Sequence, residues 1–471
     1  MIPPELHRIL TETVALQQAF LVGGCVRDWL LGIPSKDFDI EVFRVSYGDL
    51  GSALAPWGRA DTVGRSFGVV KLTTPIGNTY DFTVPRRDSK VAPGHKGFDI
   101  EFDPDISLLE ASARRDFTIN SMLYDPRKKR IIDLHGGGRD LEQRILRHTS
   151  PAFSEDPLRV LRGMQFAGRF GLRGTPETIR LCADIHSGFA ELAVERVREE
   201  WFKWAAKSTV PSAGLKFLAE TGWIRHFPEI HALLDTPQDQ EWHPEGDVFT
   251  HTCHVCDALC EMARWKAGDE ASRIVLMLAA LAHDFGKPQT TAETIKEGRL
   301  RITSPGHAEI GGPLTEQFLN RIDAPQDIIR RVIPLVLNHL VDLQSPTGRM
   351  IRRLSRRLEP ETIQDLCLVM AADSSGRPPR SPMIPESIVQ LESMAQELDL
   401  HNQAPKPILL GRHLLPLGIG PGRAMGEMLH AAFEAQLNGD FFTVDEGLQW
   451  LGRQTQLPIS RELREKSGPP S

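Results

Sequence analysis

The segment from Ala19 to Asp39 constrains this chain most. Ala19-Phe-Leu-Val22 reads as a strand, Gly23-Gly24 as a turn, Val26 to Leu31 as a helix, and Asp37-Phe-Asp-Ile-Glu-Val-Phe43 alternates polar and apolar residues as a half-buried strand does. Two glycines between a strand and a helix let backbone approach a ligand closely, and the helix N-terminus offers N–H groups to phosphate. Asp37 and Asp39 stand one residue apart, so on a strand both side chains leave the same face. Two carboxylates at that spacing can grip two divalent cations, which activate an attacking oxygen and neutralise a leaving pyrophosphate. Val69 to Thr73 and Thr79 to Val84 flank Pro75-Ile-Gly-Asn78 and predict a hairpin, whose Asp81 is the candidate third carboxylate. The competing reading, a plain turn followed by two solvated Asp, needs several features to coincide. The spaced glycines of a dinucleotide fingerprint are absent.

The rest of the chain sets this head in context. From Ser154 onward the pattern turns helical, with apolar spacing near 3.6 in Pro157 to Phe170 and Ala190 to Ala206. The expected fold class is α+β, a small α/β head on a long helical body. A length of 471 residues is too much for one core and predicts about three domains. The expected divisions are a head over 1–145, a helical neck and body over 146–236, a third domain over 237–378 and a helical tail region over 379–471. Charged residues at 25% and apolar ones at 41% exclude a disordered or collagenous chain. The longest apolar run, Ile274 to Ala282, stops at His283-Asp284, so it predicts a buried helix rather than a membrane span. Neither a secretory signal at the start nor a framework spacing of the six Cys is visible, and a cytoplasmic protein is expected. A net charge of −7 argues against indiscriminate nucleic-acid binding, yet residues 110–173 hold thirteen Lys/Arg against eight Asp/Glu.

A second group of chemistry-bearing residues lies downstream: His251, His283-Asp284, His307, His339 and Asp373. Imidazoles with carboxylates suit a divalent transition metal. Cys253, Cys256 and Cys260 fall on the side of their helix opposite His251 and have no second Cys pair, so apolar packing is expected rather than zinc. Arg352-Arg353 and Arg356-Arg357 lie on a helical pattern and fit either an RNA backbone or a solvated face.

Leu21-Val-Gly-Gly-Cys-Val-Arg-Asp-Trp-Leu-Leu-Gly32 with Asp37-Phe-Asp39 resembles the first motif of the class II tRNA nucleotidyltransferases, the CCA-adding enzymes and their poly(A) polymerase relatives. The resemblance continues through Arg114-Arg-Asp-Phe-Thr-Ile-Asn120, Asp133-Leu-His-Gly-Gly-Gly-Arg-Asp140, Ser154-Glu-Asp-Pro-Leu-Arg-Val-Leu-Arg162 and Glu195-Arg-Val-Arg-Glu199. It implies a polymerase-β-like head in which Asp37, Asp39 and Asp81 are catalytic and hold Mg²⁺. It further implies nucleotide contacts from Gly23, Gly24, Arg27, Arg115, Asp116 and Asn120. Asp156 and Arg159 would read the base edges of C and A, Asp accepting from the exocyclic amine and Arg donating to ring acceptors, with Arg162 alongside. Local sequence alone favours Asp156 as an N-cap ahead of Pro157; the upstream motifs reverse that preference. Gln165 stands where close relatives often carry another Arg, which weakens triphosphate contact there. Arg86 to Gly97 matches the family's flexible loop for switching from C to A, or is a solvated surface loop.

The histidine set resembles an HD-superfamily phosphohydrolase domain. That likeness implies metal ligands at His251, His283, Asp284 and Asp373 (Ni, Mn, Co or Mg), with His307 and His339 as further ligands or general acids. The implied function is template-independent addition of C, C and A to the 3′ end of tRNA from CTP and ATP, with an added metal-dependent phosphohydrolase activity. The implied partners are tRNA, CTP and ATP without a membrane, in a monomer or homodimer. A poly(A) polymerase or a partial CC- or A-adding enzyme is the alternative; an HD hydrolase with an inactive RNA-binding head is the remote one.

Overall fold

The computed structural model describes residues 2–35, 37–64, 68–90, 98–296, 298–344 and 346–455. Residues 91–97, most of the proposed switching loop, and the tail beyond Glu465 lie outside them. The fold is α+β. The chain divides into two compact units, Met1–His231 with Arg321–Asp323, and Ala232–Asn320 with Ala324–Ser471.

The first unit is built on a mixed sheet. Its strands are β1 (Ala19–Val22), β2 (Asp39–Val42), β3 (Arg59–Gly64), β4 (Val69–Thr73), β5 (Thr79–Thr83), β8 (Leu123–Asp125) and β9 (Arg130–Ile132), in the order β3-β4-β5-β2-β1-β8-β9. A separate ribbon pairs β6 (Arg86–Lys90) with β7 (Phe98–Phe102). The hairpin β4–β5 falls where alternation predicts it, with Val70, Leu72, Tyr80 and Phe82 turned inward. Phe20, Val22, Phe43, Ile106, Ala111 and Leu123 form a core on this sheet. The predicted strand Asp37 to Phe43 is shorter than expected, because β1 ends at Val22 opposite Asp39 and Gly23 then turns away. Asp37 therefore has no ladder partner on that side, and its carbonyl accepts the Ser35 hydroxyl instead.

Beyond the sheet, a parallel pair, β10 (Ile145–Leu146) and β11 (Arg173–Gly174), precedes and follows a long helix, Leu158–Phe170. With α1 for Gly24–Leu30, this helix is α2; α3 (Val194–Lys207) and α4 (Pro211–Glu220) pack on it. Trp201, Trp204, Trp223 and Phe217 are buried among them, and each large aromatic removed from water contributes about 2–3 kcal/mol.

Among the described residues, the second unit is helical apart from one hairpin, β12 (Ala292–Lys296) with β13 (Arg299–Thr303). Its centre is α5 (Val248–Glu261), α6 (Glu270–Ala282), α7 (His307–Arg321), α8 (Gln326–Asn338), α9 (Gly348–Leu358) and α10 (Ile363–Ser375). Ile274 to Ala282 is buried throughout, as a helix feeding a polar site should be. Cys253, Cys256 and Cys260 pack in the core, and burial pushes the Cys260 thiol up to about 12. Of the α9 arginines, Arg352 and Arg353 are half-buried, whereas Arg356 and Arg357 are exposed. Arg352 donates to the Leu437 carbonyl, Arg353 to Asn438 and Glu434, and Arg356 pairs with Glu359. No helix is long and apolar enough to cross a membrane among the described residues.

Candidate functional site

In the head, β2 and β5 run parallel with Asp39 opposite Asp81 and Ile40 opposite Phe82. Ile40 and Phe82 are fully buried, so the opposite face of both strands carries Asp39, Glu41 and Asp81 together. Burial alternates back through the loop, with Asp37 exposed, Phe38 half-buried against Tyr80 and Asp39 exposed. Desolvation by the surrounding strands raises the Asp39 carboxyl, Arg115 pulls it down, and Asp81, Asp37 and Glu41 push it further up. One oxygen of Asp81 is shielded from solvent without a hydrogen-bond partner, and Lys71 stands 3.6 Å from that oxygen. A crowd of carboxylates with a raised member and an orphaned oxygen fits a divalent cation.

Gly23 takes φ +74 between β1 and α1, and a Cβ there would sit 3.1 Å from an Arg115 guanidinium nitrogen. The turn thus brings the start of α1 beside a cation. Arg115 reaches Glu41 at 3.4 Å, and its buried Nε has no hydrogen-bond partner among the described residues.

Behind this face lies a buried polar network. Arg27 donates to Asp28 at 2.6 and 2.9 Å and to Asn120 at 2.5 Å, with its guanidinium 4.5 Å from the Phe170 ring centre. Asn120 donates to Asp116, which also accepts from Arg162 at 2.8 Å. Burial alone would raise Asp116, but Arg162, Asn120 and the Phe117 N–H hold it below the usual carboxylate range. Arg27, Asp116 and Asn120 are therefore tied to one another, a strut joining α1 to α2.

Asp156 and Arg159, the expected base-reading residues, each have partners within the protein. One Asp156 oxygen accepts the Leu158 N–H at 3.1 Å, the N-cap contact; the other accepts from Arg196 of α3 at 3.0 Å. Arg159 donates to the carbonyls of Ala152 and Arg114. Gln165 is buried and its amide nitrogen has no partner among the described residues.

The second unit brings its six predicted residues into one cluster. His251 comes from α5, His283 and Asp284 follow α6, His307 starts α7, His339 follows α8 and Asp373 lies on α10. His251 Nε2 lies 3.0 Å from Asp373 and 3.8 Å from Asp284. Asp284 Oδ2 is 3.1 Å from His283 Nε2, and Oδ1 is 3.2 Å from His307 Nε2, which lies 3.3 Å from His339 Nε2. The Nδ1 atoms of His283, His307 and His339 each lie 2.7 Å from a backbone carbonyl. Each ring therefore donates outward from Nδ1 and turns a lone pair on Nε2 inward. Two triads, His251-His283-Asp373 and Asp284-His307-His339, have ligand atoms within 4.8 Å of one another. His283 Nε2 and Asp284 Oδ2 are buried without hydrogen-bond geometry, which fits metal ligands. Gly286 allows the close packing, since a Cβ there would lie 2.0 Å from the His307 carbonyl oxygen.

Residues 19–147 match the family model described as the poly A polymerase head domain, and residues 248–376 match the HD domain model. The chain is 36% identical over 370 residues to the multifunctional CCA protein of Xanthomonas campestris pv. campestris, covering 76% of this chain and 85% of that one. It is 35% identical over 380 residues to the protein of the same description from Methylococcus capsulatus, covering 76% and 82%.

The chain belongs to the multifunctional CCA protein family.

Among solved structures it is similar to the Bacillus stearothermophilus CCA-adding enzyme in complex with CTP, with a TM-score of 0.62 at 21% identity over 99% of this chain and 100% of that one. It is also similar to the Thermotoga maritima CCA-adding enzyme complexed with tRNA_CCA, with a TM-score of 0.59 at 19% identity over 96% of both chains. Both likenesses show the fold. The head and the HD domain each belong to metal-dependent families, and the second unit contains groups able to hold an ion.

Sequence reasoning overlooked Glu245 and His243, and did not assign Arg377. Glu245 Oε1 lies 2.7 Å from His251 Nδ1 and 2.9 Å from His243 Nδ1. Burial alone would raise this carboxyl, yet the two imidazoles hold it at about 2. Arg377 donates to Asp373 at 2.8 Å, and Lys287 lies 2.7 Å from Asp284. The signal available was His243-Pro-Glu245, six residues before His251 in an irregular segment, where no helical period links them.

Proposed function

We propose that this protein adds C, C and A to the 3′ end of tRNA from CTP and ATP. The observation that carries the reading is Asp39 opposite Asp81 on a parallel pair, beside the Gly23 turn and Arg115. Asp37, Asp39 and Asp81 would hold Mg²⁺. The ions, when bound, polarise the attacking hydroxyl and balance charge on the departing pyrophosphate. The N–H groups after Gly23 and the unpaired Arg115 Nε receive the polyphosphate, placing the α-phosphorus at the carboxylate face. There the tRNA 3′-hydroxyl attacks in line, forming the new phosphodiester as the bond to pyrophosphate breaks. The buried strut through Arg27, Asn120, Asp116 and Arg162 holds α1 against α2, which keeps the phosphate turn and base-reading residues in register.

Asp156 carries the base selection in this reading. Each of its oxygens accepts one contact here, leaving further lone pairs for the exocyclic amine of C or A. Arg196 fixes its direction, and Arg159 gains the base by exchanging a carbonyl partner.

In the HD domain, His251, His283, Asp284 and Asp373 would hold a divalent transition metal that assists hydrolysis of phosphoesters. The inward Nε2 lone pairs of His307 and His339 favour ligand roles over general acid roles. We place this work in the cytoplasm, where an enzyme serving tRNA meets its substrate. Incubation of full-length protein with CCA-trimmed tRNA, Mg²⁺ and labelled CTP or ATP tests the proposal; absence of incorporation would refute it.

A further inference from the structure

The HD cluster opens into a cavity of about 270 Å³. Its polar floor includes Asp284, His307, His339 and Asp373, and two cations, Lys287 and Arg377, reach it. At its edge stand Trp242 and Leu340, which are 56% and 53% exposed. Single exposed apolar residues are ordinary. Trp242 differs in position and in support. It is the most exposed of the eight tryptophans, and it lines a cavity whose interior carries Lys287 and Arg377 beside the histidine–aspartate cluster.

The turn that presents Trp242 is braced from several sides. Trp242 and His243 donate their N–H groups to the Asp239 carbonyl at 3.1 and 2.8 Å. The Asp239 carboxylate accepts from the Glu241 N–H at 3.0 Å and from Arg301 of β13 at 3.1 Å. Arg301 pairs with Glu241 as well. With its backbone braced, Trp242 has only its two side-chain rotations left to order when a ligand stacks on the indole.

Cavities that enclose a drug-sized ligand start at about 300 Å³. At about 270 Å³ this one is smaller, and the exposed Trp242 stands in its lining. We infer that Trp242 is the specificity-determining residue of the HD site, stacking the base of a nucleotide whose 2′- or 3′-phosphate group enters the cavity. The inference rests on the phosphohydrolase reading of that site. Stacking tolerates any base, so the preferred substrates are nucleotides and RNA ends of any sequence rather than base-free phosphoesters.

The test compares the unaltered full-length protein with Trp242→Ala and Trp242→Phe, each loaded with Ni²⁺ or Mn²⁺. Hydrolysis of adenosine 2′,3′-cyclic phosphate is followed, together with inhibition by inorganic phosphate and calorimetric binding of adenosine 2′-monophosphate. A base–aromatic stack is worth about 1–3 kcal/mol, so Trp242→Ala raises KM and the adenosine 2′-monophosphate Kd at least about fivefold. The phosphate inhibition constant and kcat stay within about twofold of the parent, and Trp242→Phe recovers most of the loss. Equal weakening of inorganic phosphate, or no change in nucleotide KM and Kd, would overturn the role of Trp242. If the unaltered protein hydrolyses no phosphoester, the HD reading itself fails, and the inference with it.

Discussion

Asp39 and Asp81 are register partners on adjacent parallel strands, and both leave the face opposite the buried pair Ile40 and Phe82. Their proximity raises the Asp39 carboxyl after desolvation has done so first, and nothing in the described residues hydrogen-bonds the shielded Asp81 oxygen. Arg115 lowers the Asp39 carboxyl without cancelling the rise, and a bound cation would favour the charged pair further.

Asp39→Asn and Asp81→Asn should therefore each cut CMP and AMP incorporation by about 10³-fold, since cation stabilisation of a phosphoryl transition state is worth several kcal/mol. Binding of tRNA, measured by filter retention at fixed salt, should change less than about threefold because neither carboxylate meets RNA phosphate. Incorporation near the parent rate would remove the pair from the chemistry.

The Asp116–Arg162 pair makes a pH-dependent contribution to stability. Asp116 titrates below its unfolded value in the folded chain. Its contribution is thus present above the unfolded pKa and is lost as pH falls through the folded one. Asp116→Asn should destabilise the first unit at pH 7 by about 3 kcal/mol, since it leaves Arg162 facing an uncharged partner. The gap between parent and variant in urea denaturation should shrink as pH falls below about 4. A constant gap down to acid pH would contradict the ion pair.

How far the sequence shows these features depends on how local they are. The hairpin Val69–Thr73 with Thr79–Thr83 was legible because a two-residue period and a turn define it without help from elsewhere. Asp81 was found for the same reason. The start of β2 was not legible, since it is set by where β1 ends, at Val22. The partners of Asp156 divide the same way. The cap to Leu158 is local, whereas Arg196 arrives from forty residues away. The six clustered residues of the HD domain were legible by residue type. Glu245 was not, because an irregular segment brings its carboxylate to His251.

Glu245 should matter to the HD metal although it sits on the far nitrogen of His251. A carboxylate on the outer nitrogen of a metal-ligating His fixes its tautomer and raises its basicity. Glu245→Gln should weaken Ni²⁺ or Mn²⁺ binding, read by calorimetry, by about 10–100-fold, and Glu245→Ala by more. Unchanged metal affinity in both variants would make Glu245 a packing residue.

The two units should be separable in activity. His283→Ala should abolish phosphoester hydrolysis while incorporation of CTP and ATP by the head stays within about twofold of the parent. Were the head an inactive RNA-binding module, this substitution would erase every activity and CTP would never be consumed.

The measurement that reaches the central claim most directly is product length on tRNAs trimmed by one, two or three nucleotides, incubated with Mg²⁺ and both CTP and ATP. Each substrate should be restored to the same end, C, C and A, and extension should stop there. Open-ended addition of A, addition of C alone, or no extension of any substrate would contradict the account.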